Sequence, residues 1–265
     1  MEKVVLEARP KVERKSEGWL PRAIGCLCAG KLVHEIRNWV LGVAAFRSPE
    51  KIVVAGCWDA MREAERVERE IGIGIEKMPL IVGDWKRVAR VESVVCHSEY
   101  WNKELIWWKT RCAEMMVEKF GSLLFVDSDW MPCDNWEKKL FGDVILSPFY
   151  WGEGFKRELV ESHGIYNAGM IGIREKRVAT IWRENYESGL GGFYEQKNLE
   201  RFTERASWGV FSERENFGKW RGKEAVGVAS VHMHEREMPR ERVGMSIQIQ
   251  RIKAIRKAEK RLCLR

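Results

Sequence analysis

The sequence lacks several features that would settle its class at once. No window approaches the ~18 consecutive apolar residues of a membrane-spanning helix. Met1 to Lys15 is charged throughout and has no apolar stretch, so no secretory signal is expected there. The seven cysteines (26, 28, 57, 96, 112, 133 and 263) are odd in number and contain no C-x-x-C pair. That argues against a disulfide framework and a zinc cage, and predicts a reducing, cytoplasmic setting. Amides are scarce, with seven Asn and three Gln, while Glu, Lys and Arg abound. This is the balance of heat-stable proteins, although seven Cys and ten Met run the other way. No internal repeat or low-complexity linker divides the 265 residues. No glycine-rich phosphate loop follows the first apolar run, where C-L-C-A-G-K stands instead.

What is present is the composition of a globular domain, 45% apolar and 32% charged, with thirteen Trp. Short β-branched runs alternate with longer helical patterns, which predicts an α/β domain. Strands are expected at 23–29, 51–56, 80–83, 122–126, 143–147, 169–173 and 225–231. Helices are expected at 32–46, 59–71 and 99–120, with two more between 174 and 204 broken by Gly189, Gly191 and Gly192. The division expected is a charged extension (1–21), one catalytic domain (22–245) and a basic C-terminal helix (246–265). Residues 251–265 carry seven basic side chains against one acid, Glu259, and so hold most of the net charge of +7. Ile252, Ile255 and Leu262 form one stripe there. It reads either as a helix packing its Ile side onto the domain, or as a basic amphipathic helix on an anionic membrane.

The most informative segment is L-L-F-V-D-S-D-W-M-P-C-D-N, residues 123–135. A buried apolar strand runs straight into Asp127 and Asp129. Alternate residues of an extended chain point the same way, so both carboxylates face one spot at the strand's C-terminal edge. Open α/β sheets bind ligands at that edge. Two hard oxygen donors there suit Mg²⁺ or Mn²⁺, and through it a substrate phosphate. The plainer alternative is a solvated turn capped by Asp127, but acids are depleted in strands and two in succession are unusual.

This segment resembles the D-x-D motif of GT-A-fold nucleotide-sugar glycosyltransferases, and the retaining galactosyltransferase and glycogenin-like family in particular. The other landmarks stand in that family's order. A helix carrying Lys109 and Arg111 precedes the D-x-D strand, and I-L-S-P-F (145–149) is similar to the strand after it. Y-N-A-G-M-I-G-I (166–173) resembles the sugar-side strand, and Glu195-Gln196 with Asn198-Leu199 a "DQ…LN" segment. His232 or His234, in V-H-M-H, resembles the late histidine that completes the metal site. The sequence departs from the family in having Glu195 for the usual Asp, and Glu235 to Pro239 where K-P-W is usual.

The resemblance implies a single GT-A-like domain, with a mixed, mostly parallel central sheet flanked by helices. It implies a glycosyltransferase that moves a sugar from a nucleotide-diphosphate donor, a UDP-sugar, with retention. The acceptor would be an unknown glycan, lipid or protein. Asp127, Asp129, His232 and His234 would be metal ligands. Lys109, Arg111, Asp127 and Gly169 would contact the donor, and Glu195, Gln196 and Asn167 would work at the reacting sugar. Lys109 and Arg111 read equally well as a charged helix face, Asn167 and Gly169 as a strand bulge, and Glu195 as a complement to a helix dipole. Trp101, Trp107, Trp108, Trp130, Trp136 and Trp151 cluster around the proposed site, where flat rings suit sugar faces or simply pack. A nucleotidyltransferase on a related fold and a non-catalytic basic protein docking membranes or nucleic acid remain as alternatives, while the glycosyltransferase reading does not expect nucleic acid as a partner.

Overall fold

The inner strands of the central sheet are short apolar runs buried on both faces, the pattern of a sheet covered by helices on both sides. The computed structural model describes residues 17–28, 30–46, 51–80, 99–135, 139–149, 164–189, 195–233 and 242–264. The strands are β1 (Ala23–Cys28), β2 (Lys51–Gly56), β3 (Ile75–Pro79), β4 (Leu123–Val126), β5 (Trp130–Pro132), β6 (Val144–Pro148), β7 (Tyr166–Ile173), β8 (Trp208–Val210) and β9 (Ser230–His232). The longer helices are α1 (Ile36–Phe46), which continues a 3₁₀ turn at Gly30–Glu35, α2 (Trp58–Ile71), α3 (Glu99–Phe120), α4 (Lys176–Glu187) and α5 (Arg242–Arg261).

Among the described residues the main sheet has seven strands in the order β3-β2-β1-β4-β7-β6-β8. β1 pairs in parallel with β2 and with β4, and β2 with β3, while β7 runs antiparallel to both β4 and β6. The sheet is therefore mixed and mostly parallel, with helices on both faces, as expected. Along β4, Leu123 and Phe125 pack with Met116 and Trp182 on one face, and Leu124 and Val126 pack with Trp39 and Val40 on the other. Since β2 lies on one side of β1 and β4 on the other, the chain changes winding direction between β1 and β4. In open α/β sheets, that point opens a crevice at the carboxyl ends of the strands.

The helical spans lie close to those expected, but three expectations need correction. The third strand is Ile75–Pro79 rather than 80–83, of which 81–83 lie outside the described residues. It is a terminal strand of the described sheet, and its Glu76 and Lys77 are covered by pairing with Lys119 and Glu68. Charged side chains at an edge hide the apolar pattern of a strand. The late strand is Ser230–His232 alone, since Val226 is 78% exposed and unpaired in any ladder. Finally, α5 buries Gly244, Ile247, Arg251, Ala254 and Ala258, while Ile252 faces outward. Ile255 and Leu262 do pack inward, against a third cluster containing Leu41, Phe46, Met131, Val231 and Met233. Lys257 and Arg261 lie over the Phe46 ring, and Arg261 donates to the Ala45 carbonyl at the C-terminal end of α1.

Candidate metal centre

Asp127 leaves the carboxyl end of β4 at the crevice, and its N–H donates to the Gly169 carbonyl at 3.0 Å. The next residues turn and re-enter extended structure as β5, which pairs antiparallel with β9 so that Trp130 stands opposite His232. This small second sheet brings a histidine from late in the chain to the two acids. His232 Nε2 lies 3.0 Å from Asp129 Oδ1 and 3.6 Å from Asp127 Oδ2. One ligand atom from each of Asp127, Asp129 and His232 lies within 4.8 Å of the others.

Packing fixes the imidazole. Trp220 meets it nearly at right angles, with ring centroids 5.3 Å apart, and Trp220 in turn meets Phe149 at 5.5 Å. On the other side is Gly169, where a Cβ would stand 2.2 Å from His232 Cε1. The glycine at this position therefore makes room for the histidine ring. His232 Nδ1 is buried without a hydrogen-bond partner, so the ring is oriented from its Nε2 side and by its neighbours. Burial by itself would lower the affinity of His232 for its proton. The Asp129 carboxylate, by charge and hydrogen bond, and then Asp127 outweigh burial and hold the imidazole above its ordinary value.

Lys109, on α3, reaches Asp127 Oδ1 at 2.6 Å and is almost buried. Arg111, two residues on, turns instead to Glu114, a buried carboxylate that also accepts from Thr180 at 2.7 Å and Arg183 at 3.0 Å. The structure thus brings Lys109 to the acids and directs Arg111 into the α3–α4 contact. Near the acids, burial, followed by the Asp127 charge, pushes the Cys26 thiol well up, which makes it a poor nucleophile.

Beneath the cluster is a buried polar network that the sequence did not reveal. Asn167 Oδ1 accepts from the Gly169 N–H at 2.8 Å and from Asn216 Nδ2 at 2.9 Å. Asn216 Nδ2 also reaches Ser147 Oγ at 2.9 Å, and Ser230 Oγ accepts from the Asn216 N–H at 2.8 Å and from Trp130 Nε1 at 3.0 Å. Asn216 has a left-handed backbone, φ +50°. Its location in a short E-N-F-G turn was the one available signal, since Asn tolerates that conformation. Gln196 Oε1 is buried without a hydrogen-bond partner. The Glu195 side chain, His234, Trp136 and Trp151 lie outside the described residues, as do the Trp101 side chain, Gly191 and Gly192.

Two carboxylates and an imidazole, converging at the crevice, fit a divalent cation of the Mn²⁺ or Mg²⁺ type. Oxygen donors suit both ions, and the nitrogen favours the softer Mn²⁺. The sequence matches no protein-family model and no curated protein. Its fold is similar to that of the galactosyltransferase LgtC, solved in complex with donor and acceptor sugar analogs. That match has TM-score 0.56 and 14% identity, covering 90% of this chain and 95% of that one. The glycosyltransferase GlyE of Streptococcus pneumoniae TIGR4 matches with TM-score 0.60 and 14% identity, over 91% of this chain and 63% of that chain. Its apo-form matches with TM-score 0.57 and 14% identity, over 92% and 62%. The chain thus spans less than two thirds of the GlyE chain and nearly all of LgtC. At this identity the likeness shows the fold, which is the GT-A-like α/β architecture that the motifs resemble.

Proposed function

We propose that this chain is a metal-dependent glycosyltransferase that moves a sugar from a UDP-linked donor to a glycan or glycan-bearing acceptor, with retention. The observation that carries the reading is the meeting of Asp127, Asp129 and His232 at the crevice between β1 and β4. These three residues would hold Mn²⁺ or Mg²⁺, and a bound ion supplies Lewis-acid stabilisation to a departing nucleoside diphosphate. Lys109, already at Asp127, adds fixed positive charge beside the same leaving group. The network of Asn167 and Asn216 ties the start of β7 to β9, and Glu195 and Gln196 would face the reacting sugar. LgtC was solved with donor and acceptor sugar analogs, which supports a sugar acceptor here. Retention is proposed from the resemblance of the D-x-D and N-A-G segments to the retaining class.

Calorimetry with UDP, with and without Mn²⁺, tests this reading together with a screen for Mn²⁺-dependent hydrolysis of UDP-sugars. Metal-dependent UDP binding and release of free sugar are expected. Nucleotide binding indifferent to Mn²⁺ and Mg²⁺ would sink the reading, and UTP-dependent formation of a UDP-sugar would favour the nucleotidyltransferase.

A membrane position is part of the proposal. No described helix is long and apolar enough to cross a bilayer, but α5 is docked by one face and presents another. Met245, Ile249 and Ile252 are 51%, 47% and 41% exposed and, at i, i+4 and i+7, share one face with exposed Arg256 and Lys260. That mixture suits an anionic bilayer surface at the cytoplasmic side, where each cation adds about 1 kcal/mol. The six described cysteines are all free, which fits that compartment. Salt-sensitive sedimentation with phosphatidylglycerol vesicles is expected, and Ile249→Glu with Ile252→Glu should abolish it. Absence of sedimentation by the unaltered protein would remove the membrane from the proposal.

A further inference from the structure

The buried pair Glu35–Arg251 lies on neither the crevice nor the outer surface. Arg251 belongs to α5, and its side chain is 1% exposed. Its Nη2 pairs with Glu35, which is fully buried at the end of the 3₁₀ turn that leads into α1. Its Nη1 donates to the carbonyl oxygen of Asp129 at 2.9 Å and to that of Met233. The Met233 N–H donates to the same Asp129 carbonyl at 3.2 Å. One guanidinium therefore fastens the backbone of one candidate ligand, Asp129, to the residue after another, His232.

We infer that Arg251, held by Glu35, is a positioning residue that sets the distance between the Asp129 carboxylate and the His232 imidazole; this rests on the metal reading above. A buried ion pair is a poor way to gain stability, because two apolar side chains of similar size serve as well or better. What the pair provides is direction. The planar fork of Arg presents several donors in fixed geometry, which an ammonium cannot copy. Here two carbonyls and one carboxylate converge on it from the residue before β5, from the residue after β9 and from the residue before α1. The β5–β9 ladder is only three residues long on each strand, so its own hydrogen bonds leave the acid–histidine spacing soft. The clamp stiffens it at the end nearest the ligands. Groups that orient metal ligands in this way typically account for 10–100-fold in metal affinity.

The test uses the full chain and Mn²⁺ alone, titrated by calorimetry and by loss of the free-ion electron paramagnetic resonance signal. Glu35→Met combined with Arg251→Met removes both charges and leaves no buried ion unpaired. It should melt cooperatively near the unaltered protein while its Mn²⁺ dissociation constant rises about tenfold or more. Arg251→Lys, which keeps the charge and loses the fork, should fall between the two. In a cycle with His232→Ala, the double methionine change should cost far less additional affinity, because the spacing it sets is then already without purpose. A folded double variant that binds Mn²⁺ as tightly as the unaltered protein overturns the inference. So does failure of both Arg251 variants to fold, which would make the pair a strut of the fold only. If the unaltered protein binds no Mn²⁺, the metal reading itself fails and takes the inference with it.

Discussion

At Gly169 the room for a side chain is already taken by the His232 ring, so Gly169→Ala should push the imidazole out of register with the two acids. The expected result is lost Mn²⁺ binding in calorimetry with a stability cost of roughly 1–3 kcal/mol, the usual range for overpacking. A variant that keeps full metal affinity would show that the ring can sit elsewhere. Asp129→Asn should abolish Mn²⁺-dependent UDP binding and cost about 1–3 kcal/mol of stability, because the amide keeps the shape but gives up the charged hydrogen bond to His232. Should Asp129→Asn unfold the chain, Asp129 is a structural cap. Asn216 combines a left-handed backbone with a buried amide that serves two acceptors. Asn216→Ala should therefore cost about 2–3 kcal/mol in denaturant unfolding, and Asn216→Gly about 1 kcal/mol less, since glycine relieves the backbone but restores no hydrogen bond. Equal losses would mean that the hydrogen bonds alone matter.

Between elements, the α3–α4 contact is organised around one carboxylate. Burial would raise the Glu114 carboxyl, but hydrogen bonds from Thr180, Arg111 and Arg183 more than offset it and hold the group below its ordinary value of 4.5. A carboxyl held low in the folded state contributes stability that is fully present above its unfolded value. That contribution is lost as pH falls through the folded value. Glu114→Gln should accordingly lose roughly 1–3 kcal/mol at pH 7, and the gap to the unaltered protein should narrow progressively below about pH 4.5. A gap independent of pH in acid denaturation would assign the loss to packing. Arg111 spends its charge in this contact, which explains why two cations on one helix, Lys109 and Arg111, have such different surroundings. Successive helical residues turn by about 100°, so positions 109 and 111 cannot face the same cleft.

Across the whole molecule, α5 closes one end of the core. Its inner face covers Leu41, Phe46, Met131 and Val231, and its loss would expose that cluster to water. Deleting residues 242–265 should cost about 3–6 kcal/mol, the scale of uncovering two fully buried apolar side chains. For a chain of this size that is a fall in melting temperature of about 10 °C or more. A truncated protein that melts like the full chain would make α5 an appendage. Because the helix is docked, truncation cannot isolate a membrane role, and the outward Ile249 and Ile252 are the positions to change.

Local pattern determined much of this protein by itself. A four-residue apolar strand running into Asp127 and Asp129 announces its acids from sequence, because alternation puts both side chains on one face whatever surrounds them. The long helices are equally legible, through their 3.6-residue apolar period. Tertiary structure decided what depends on distant pairing. A three-residue ladder between β5 and β9 places His232 beside acids about a hundred residues away; the pattern at 225–231 pointed to a late strand, but not to its short extent or to its partner β5. The half-buried, charged strand β3, terminal in the described sheet, hid its pattern for a related reason, since its charges are neutralised by residues from α2 and α3. Arg251 is the sharpest case. In sequence it is one of seven cations in a basic tail, indistinguishable from its neighbours. Only the packing of α5 on α1 buries it against Glu35 and the Asp129 carbonyl, because burial belongs to a helix face and a docking partner and is not carried by a residue type.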